Sequence, residues 1–468
     1  MLCPYCNATL EDGATECPAC GAAALNTPAD EQPDLLDELT PDEALPIEEE
    51  TSPKRKKVYR PVWALLAIIL AGLITLLIFL LANGHPHEHN PFNLFENGLV
   101  PVCTAVDGEE RWGYMDKHGA MVTPSVYEKA LPFTGAGLAA VKQDGKWGFV
   151  NKKGELAIPC EFDTVGSFSR NGLAPVLKND SWGYVNKRGK IVINPQFDYA
   201  APFSGEGVAM VVIGSECGFI NRRGVYVIPP QFSSAGDFGG GGYAPVRAYG
   251  SWGMIDKLGD YTINPQFDAL YPFARNGLAL VNKNELYGYV DRDGVYVVEP
   301  IYEYAESFAD NGLALVKTES GKYGYINRRG ELVIDAVFDA ALSFSGGLAA
   351  VCPDASEGKW GYINKHGELV IDAAYRRATS FASGLASVRD DNGFLYIDKE
   401  GNEVLRLQEN TIGGRFTADG YAVVFLYDQS TGSTVTTGYQ LIDKKGRVLH
   451  DAAIVDLHED LLLYSIMP

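Results

Sequence analysis

The sequence predicts a mainly β protein built from tandem units of about 35 residues set in an open, twisted array. Three observations predict it: a short motif repeated ten times, turn residues locked in phase with that motif, and aromatic residues at fixed offsets from it. The fullest copy reads Gly145-Lys146-Trp147-Gly148-Phe149-Val150-Asn151-Lys152-Lys153-Gly154. Its Trp, or the residue standing for it, falls at Trp112, Trp147, Trp182, Cys217, Trp252, Tyr287, Tyr323, Trp360, Phe394 and Tyr439. Successive anchors are 35 residues apart as far as Tyr287, then 36, 37, 34 and 45 apart. Such self-similarity marks a repeat architecture.

Within a unit the strands and turns can be read in order. Gly172-Leu173-Ala174-Pro175-Val176 is a first strand, Asn179-Asp180 a polar turn and Trp182-Gly183-Tyr184-Val185 a second strand. The turn Asn186-Lys187-Arg188-Gly189 then leads to Lys190-Ile191-Val192-Ile193. A Gly stands seven residues after every anchor and an Asp or Asn four after it. The side chain of the Asp or Asn caps the turn and the Gly supplies a positive φ, as a three-residue hairpin with a bulge requires. Six of the ten units place Pro at the expected exit of the third strand, as at Pro159, Pro195 and Pro265, where a missing N–H is tolerated. One aromatic follows (Phe162, Phe197, Phe232) and then a second (Phe168, Phe203, Phe238). With the anchor this gives up to three aromatic plugs per unit. A unit this small cannot close a core alone, so the next one must cover them.

These positions resemble the WG-repeat family of bacterial proteins, whose units run Lys-Trp-Gly-aromatic-Ile-Asp-Lys-x-Gly, then Val-Ile-x-Pro-x-aromatic and Gly-Leu-Ala. The resemblance covers roughly Phe95 to the C-terminus. It implies repeat-mediated interaction and carries over no catalytic residue. Leu395 and Gln440 depart from the motif Gly and the last spacing grows, which suggests a terminal cap.

Propellers usually have about 4 to 8 blades of four strands, whereas this chain offers ten units of about three strands. An open array is therefore expected, with a closed propeller-like ring as the alternative. A Gly beside a large ring marks close backbone approach inside a strand, which favours core packing of the anchors over a groove that stacks glycan or choline-type ligands. No enzyme is expected, because catalysis needs unlike groups converging once and the recurring polar residues are those of the turns.

With 468 residues, 46% hydrophobic and 21% charged, the chain is long enough for several modules. The predicted organisation is a zinc ribbon (1–25), an acidic linker ending in a basic cluster (26–60), a transmembrane helix (61–83), a spacer (84–94) and the repeats (95–468). Cys3-Pro4-Tyr5-Cys6 and Cys17-Pro18-Ala19-Cys20 form two CxxC knuckles, and four thiolates suit a closed tetrahedral Zn²⁺ site, structural rather than catalytic. Cys103, Cys160, Cys217 and Cys352 show no paired spacing and read as small buried hydrophobes. Residues 26–53 carry five prolines among carboxylates, too charged to collapse. The run from Val62 to Ala82 holds no charge and is long enough to cross a bilayer. Lys54, Arg55, Lys56 and Lys57 before it hold the N-terminus in the cytoplasm and place the repeats outside. His85, His87 and His89 lie in the spacer and invite a metal reading, but alternating His residues in a Pro-containing spacer more often serve no ligand role.

The net charge is −21, and the ribbon and linker hold no Lys or Arg before Lys54, which argues against nucleic acid as a partner. The expected protein is a single-pass membrane scaffold whose external repeats bind a protein or cell-envelope ligand, with a possible protein partner for the ribbon. A wall-glycan module and a transmembrane signal transmitter are the alternatives.

Overall fold

The computed structural model describes residues 94–106, 109–239, 241–428 and 435–453, all within the compact unit Ile69–Pro468. Cys3, Cys6, Cys17 and Cys20, the acidic linker, the apolar run 62–82 and the His-containing spacer lie outside the described residues. Apart from one 3-10 turn, Glu96–Gly98, the described elements are strands, and no helix among them is long and apolar enough to cross a membrane.

The strands form ten sheets, one of three strands and nine of four, each an antiparallel meander in chain order. Blade 1 comprises β1 (Leu99–Val106), β2 (Glu109–Asp116) and β3 (Met121–Tyr127). Blade 2 comprises β4 (Lys129–Ala130), β5 (Leu138–Gln143), β6 (Lys146–Asn151) and β7 (Leu156–Phe162), and its pattern recurs through blade 10. A short first strand, of two residues in blades 2 to 9 and three in blade 10, gives those blades four strands instead of the expected three, while blade 1 keeps three. It is too short to show a hydrophobic period of its own.

The predicted turn chemistry is present. At the β6–β7 turn, Asn151 Oδ1 accepts from the backbone N–H of Lys153 (2.9 Å) and of Glu155 (3.1 Å). Gly154, at φ 78°, donates its N–H to the Asn151 carbonyl at 2.9 Å. The prolines are differently placed from the expectation. Pro159, Pro195 and Pro265 sit inside strands that run on to Phe162, Phe197 and Phe267. There the ladder jumps from the Trp147–Phe162 pair to the Phe149–Ile158 pair, so three residues face Gly148 alone. Pro is tolerated because such a bulge interrupts the ladder.

The same bulge explains the motif Gly. A Cβ on Gly148 would lie 2.5 Å from the Ile158 carbonyl oxygen and 2.7 Å from the Cys160 nitrogen. Where Leu395 and Gln440 replace the Gly, the register passes without the jump, through Leu395–Arg406 and Tyr396–Leu405 and through Gln440–Asp451 and Leu441–His450. The change of residue and the change of ladder are one event.

The core lies between blades. One cluster joins Phe149, Ile158 and Phe162 of blade 2 to Phe168, Ala174 and Val176 of blade 3, and the other seams repeat it. Phe162 and Phe168 are buried as expected, and so are the anchors Trp112, Cys217, Phe394 and Tyr439, but in the other six units the anchor is not the main plug: Trp147, Trp182, Trp252, Tyr287, Tyr323 and Trp360 are only half-buried. The fully buried ring stands two residues later, at Tyr114, Phe149, Tyr184, Phe219, Tyr289, Tyr325, Tyr362 and Tyr396. A side chain two places along a strand shares its face, and here the second of the pair faces the neighbouring blade. Phe149 meets Phe168 at 4.8 Å between centroids, and Tyr325 meets Phe344 at the same distance. Where the plug is Tyr, its hydroxyl donates across the seam: Tyr184 to the Ala201 carbonyl (2.7 Å), Tyr325 to Leu342 (2.7 Å) and Tyr362 to Thr379 (2.8 Å).

The array is a closed ring, not the open one expected. Val100, Val102 and Met115 of blade 1 share a buried cluster with Val423, Phe425, Tyr439 and Leu441 of blade 10. Asp419 accepts from the backbone N–H of Leu94 (3.1 Å) and of Phe95 (2.7 Å). The atypical final blade is thus no free cap; its apolar face is covered by the first. Closure removes the two uncovered end faces that an open stack must protect.

Candidate functional site

An antiparallel meander puts alternate turns at opposite ends, so the ring has two unlike faces. One carries the turns between second and third strands and the connectors between blades. The other carries the turns between first and second strands and the Asp/Asn-Lys-x-Gly turns. The half-buried anchors belong to the first face, close to its turns. Tyr287, Tyr304 and Tyr323 there form a short ladder with centroids 6.2 and 6.3 Å apart.

The second face holds a groove of about 590 Å³ at the closing seam, lined by Asp419, Tyr421, Asp443, Lys444, Lys445 and Arg447 among others. Tyr421 stacks on Phe95 at 4.5 Å, which brings the start of the described chain to the groove's edge. Both carboxylates are committed. Asp419 holds the Leu94 and Phe95 amides, while Asp443 accepts from the backbone N–H of Lys445 (2.9 Å) and Arg447 (3.0 Å) and from Arg447 Nε (3.1 Å). Lys444 Nζ donates to the Ser383 carbonyl of the preceding blade at 2.6 Å. A wall of three cations whose nearby carboxylates are already engaged suits an anionic group.

Deeper in the same seam the Cys103 N–H donates to the Tyr439 hydroxyl (3.5 Å), and His450 Nε2 lies 3.2 Å from the Cys103 carbonyl oxygen. Burial holds the His450 imidazole below its ordinary pKa, opposed by its bond to the Cys103 backbone and by the charge of Asp451. Burial, aided by the charge of Glu110, pushes the Cys103 thiol up to about 11. Cys103, Cys217 and Cys352 are free and buried, as the sequence suggests, and Cys160 is half-buried. Among the described residues no three His, Cys, Asp or Glu side chains gather into a possible metal site.

The groove escapes sequence reasoning because two turns of the last blade, 418–421 and 443–447, come together only when the blade folds, and Asp419 there is held by the Leu94 and Phe95 amides from the other end of the described chain. The signals in the chain are the start of the repeat pattern at Phe95, ahead of the first anchor, and the last interval of 45 residues, which marks an enlarged final blade.

Eight segments match the model for the WG containing repeat: residues 112–147, 147–181, 182–217, 218–250, 252–287, 287–323, 323–352 and 360–394. They run from anchor to anchor, and so follow the seam rather than the blade. No curated protein matches the chain. Among solved structures it is similar to a eukaryotic initiation factor, with TM-score 0.46 at 10% identity over 76% of this chain and 96% of that one. It is also similar to the extracellular domain of a putative hybrid two-component system from B. thetaiotaomicron (TM-score 0.25, 9% identity, 78% of this chain and 57% of that one). Hsv2 of Kluyveromyces lactis matches with TM-score 0.29 at 8% identity, over 65% of this chain and 94% of that one. At TM-scores below 0.5 these likenesses carry no weight for fold or function.

Proposed function

The chain belongs to the WG-repeat family, and on that premise we propose that it is a membrane-anchored interaction scaffold. In this reading residues 62–82 span the cytoplasmic membrane, the ring stands outside and binds a protein or another cell-envelope component, and Cys3, Cys6, Cys17 and Cys20 hold a structural zinc ion inside. The observation that supports it is the second face, where one turn is presented ten times over. Such a surface multiplies a single contact, whereas a reaction needs unlike groups brought together once. We therefore propose no catalytic role. Four thiolates leave zinc no open position, so the metal would hold the ribbon together and carry no chemistry.

Cross-linking from the ring in intact cells, followed by identification of the captured molecule, tests the scaffold. A reproducible envelope partner is expected, and capture of cytoplasmic proteins alone would overturn the placement. Metal analysis of the intact chain should find one zinc, lost in Cys17→Ser. A glycan-binding reading draws on the half-buried ladder of Tyr287, Tyr304 and Tyr323. Retention of the chain on wall polysaccharide, abolished by Tyr304→Ala, would favour it over a protein partner.

A further inference from the structure

We propose that the second face of the ring is a membrane-docking surface that seats on the anionic lipid headgroups of the bilayer to which the chain is tethered. This rests on the membrane-anchored reading above and specifies which face meets the bilayer.

The first observation is a crown of cations. Lys or Arg stands five residues after the anchor in all ten units, from Lys117, Lys152 and Lys187 to Lys444. All ten are exposed. The next position adds five more, among them Arg188, Arg223 and Arg329, so that the two positions together carry fifteen Lys and Arg against Asp293 and Glu400. Glu155, Asp260, Glu331 and Glu368, just after the turn Gly, and the five Asp that open turns, such as Asp116 and Asp443, offset part of this charge. Contacts to the preceding blade fix the shared orientation: Lys187 Nζ donates to the Ala136 carbonyl at 3.0 Å, and Arg292 lies over the Tyr243 ring at 5.7 Å.

The second observation is how cations are paired at the two ends. On the first face many are neutralised at close range, as in the pairs Lys146–Asp163, Lys178–Glu161, Lys317–Glu303 and Lys322–Asp339, while Lys129 and Lys283 stand without such a pair among the described residues. On the second face the pairs are fewer, Lys257 with Glu206 of the preceding blade, Arg275 with Asp310 and Arg447 with Asp443, and among the described residues Lys257 is the one of the fifteen crown cations that pairs with a carboxylate. Among the described residues Lys117, Lys152, Arg222, Arg328, Lys365 and Lys399 have no carboxylate within ion-pair distance. The net negative charge of the ring does not oppose this arrangement, because fields are screened within about 8 Å at physiological salt and a docked surface responds to the face it meets.

The third observation is where the chain enters. Phe95–Gly98 takes the place in blade 1 that Thr134–Gly137 takes in blade 2, in the turn that precedes the second strand. Asp419, in the corresponding turn of blade 10, holds it there. The described chain therefore begins on the crown face. Eleven residues, 83–93, separate it from the apolar run and reach at most about 40 Å when extended. A tether leaving that face directs the crown toward the bilayer, and the groove with Lys444, Lys445 and Arg447 lies beside the point of entry.

The test uses the full chain reconstituted with the ring outward into phosphatidylcholine vesicles, with or without phosphatidylglycerol. Lysines are footprinted with a membrane-impermeant acylating reagent and read by mass spectrometry. In anionic vesicles at low salt Lys152, Lys365 and Lys399 should be modified at least about threefold more slowly than in neutral vesicles, while Lys129 and Lys283 on the first face stay unchanged. High salt, or the combined variant Lys152→Glu, Arg188→Glu, Arg223→Glu and Arg328→Glu, should abolish the protection. These sites are exposed, and an unchanged pattern at Lys129 and Lys283 shows that the variant folds. Equal modification in both lipids, or protection of both faces alike, would overturn the proposal. Loss of the chain from neutral vesicles on alkaline washing would instead overturn the anchor, and protection in anionic vesicles would still report on the crown.

Discussion

Nine of the ten seams in the ring join blades that follow one another in the chain, and the tenth joins the last blade to the first. An ordinary seam is made within one 35-residue stretch, so a plug such as Tyr325 finds Phe344 and the Leu342 carbonyl fewer than twenty residues away. The closing seam gathers groups more than 320 residues apart: Asp419 with the Leu94 and Phe95 amides, and Tyr439 with Cys103. Ordinary seams share one solution because one sequence was copied. The closing seam uses residues found in no other unit, since its two sides are not copies of a continuous repeat. Such a contact must overcome the closure entropy of the whole ring, which ordinary seams avoid.

That contrast can be broken at graded cost. Gly183 is expected to be the most sensitive site, because a Cβ there would lie 2.5 Å from the Ile193 oxygen and 2.6 Å from the Pro195 nitrogen. Gly183→Ala should cost about 3 kcal/mol in denaturant unfolding. Gln440→Ala, at the same motif position in a ladder without the jump and only half-buried, should cost clearly less; equal losses would refute the link between the Gly and the bulge.

Asp419→Ala comes next, at about 2 kcal/mol, since two amides lose their acceptor. Hydrogen exchange should rise in 99–106 and 421–428 and stay low in the middle blades. A uniform rise would mean that the closing seam holds no separate stability. Tyr325→Phe should cost about 1 kcal/mol, as the Leu342 carbonyl loses its buried donor. Phe149→Tyr tests the converse: if the Tyr latch transfers, stability is kept or gained.

The smallest effect concerns pH. His450 has a folded pKa below its ordinary value, so the unfolded chain binds the extra proton first as pH falls. The closing seam is therefore fully stable above about 6.5, weakens as pH drops from there toward the folded pKa, and changes no further below it. Asp451, Cys103 and Tyr439, whose ring lies 5.8 Å from the imidazole, are titratable groups beside it. Comparing His450→Gln with the parent between pH 7 and 5 should remove a step in unfolding midpoint, and identical profiles would contradict the assignment.

Repeat length, turn chemistry and the need for neighbouring units to cover each other were legible in the sequence, because they depend on residues close along the chain. Asn151 and Gly154 specify their turn wherever the blade stands, and the close approach at Gly148 could be inferred from the residue alone. The partition of rings was not legible: Trp147 and Phe149 share one face of a strand, and only the angle of the next blade decides which is covered. Nor was closure, because a small rotation per blade leaves no local mark and is summed ten times before Asp419 meets Leu94. The ten Lys and Arg were visible from the start, but each read as an ordinary turn residue. Only the ring sets them on one face, because alternate turns of every meander share an end and the blades are stacked in the same sense.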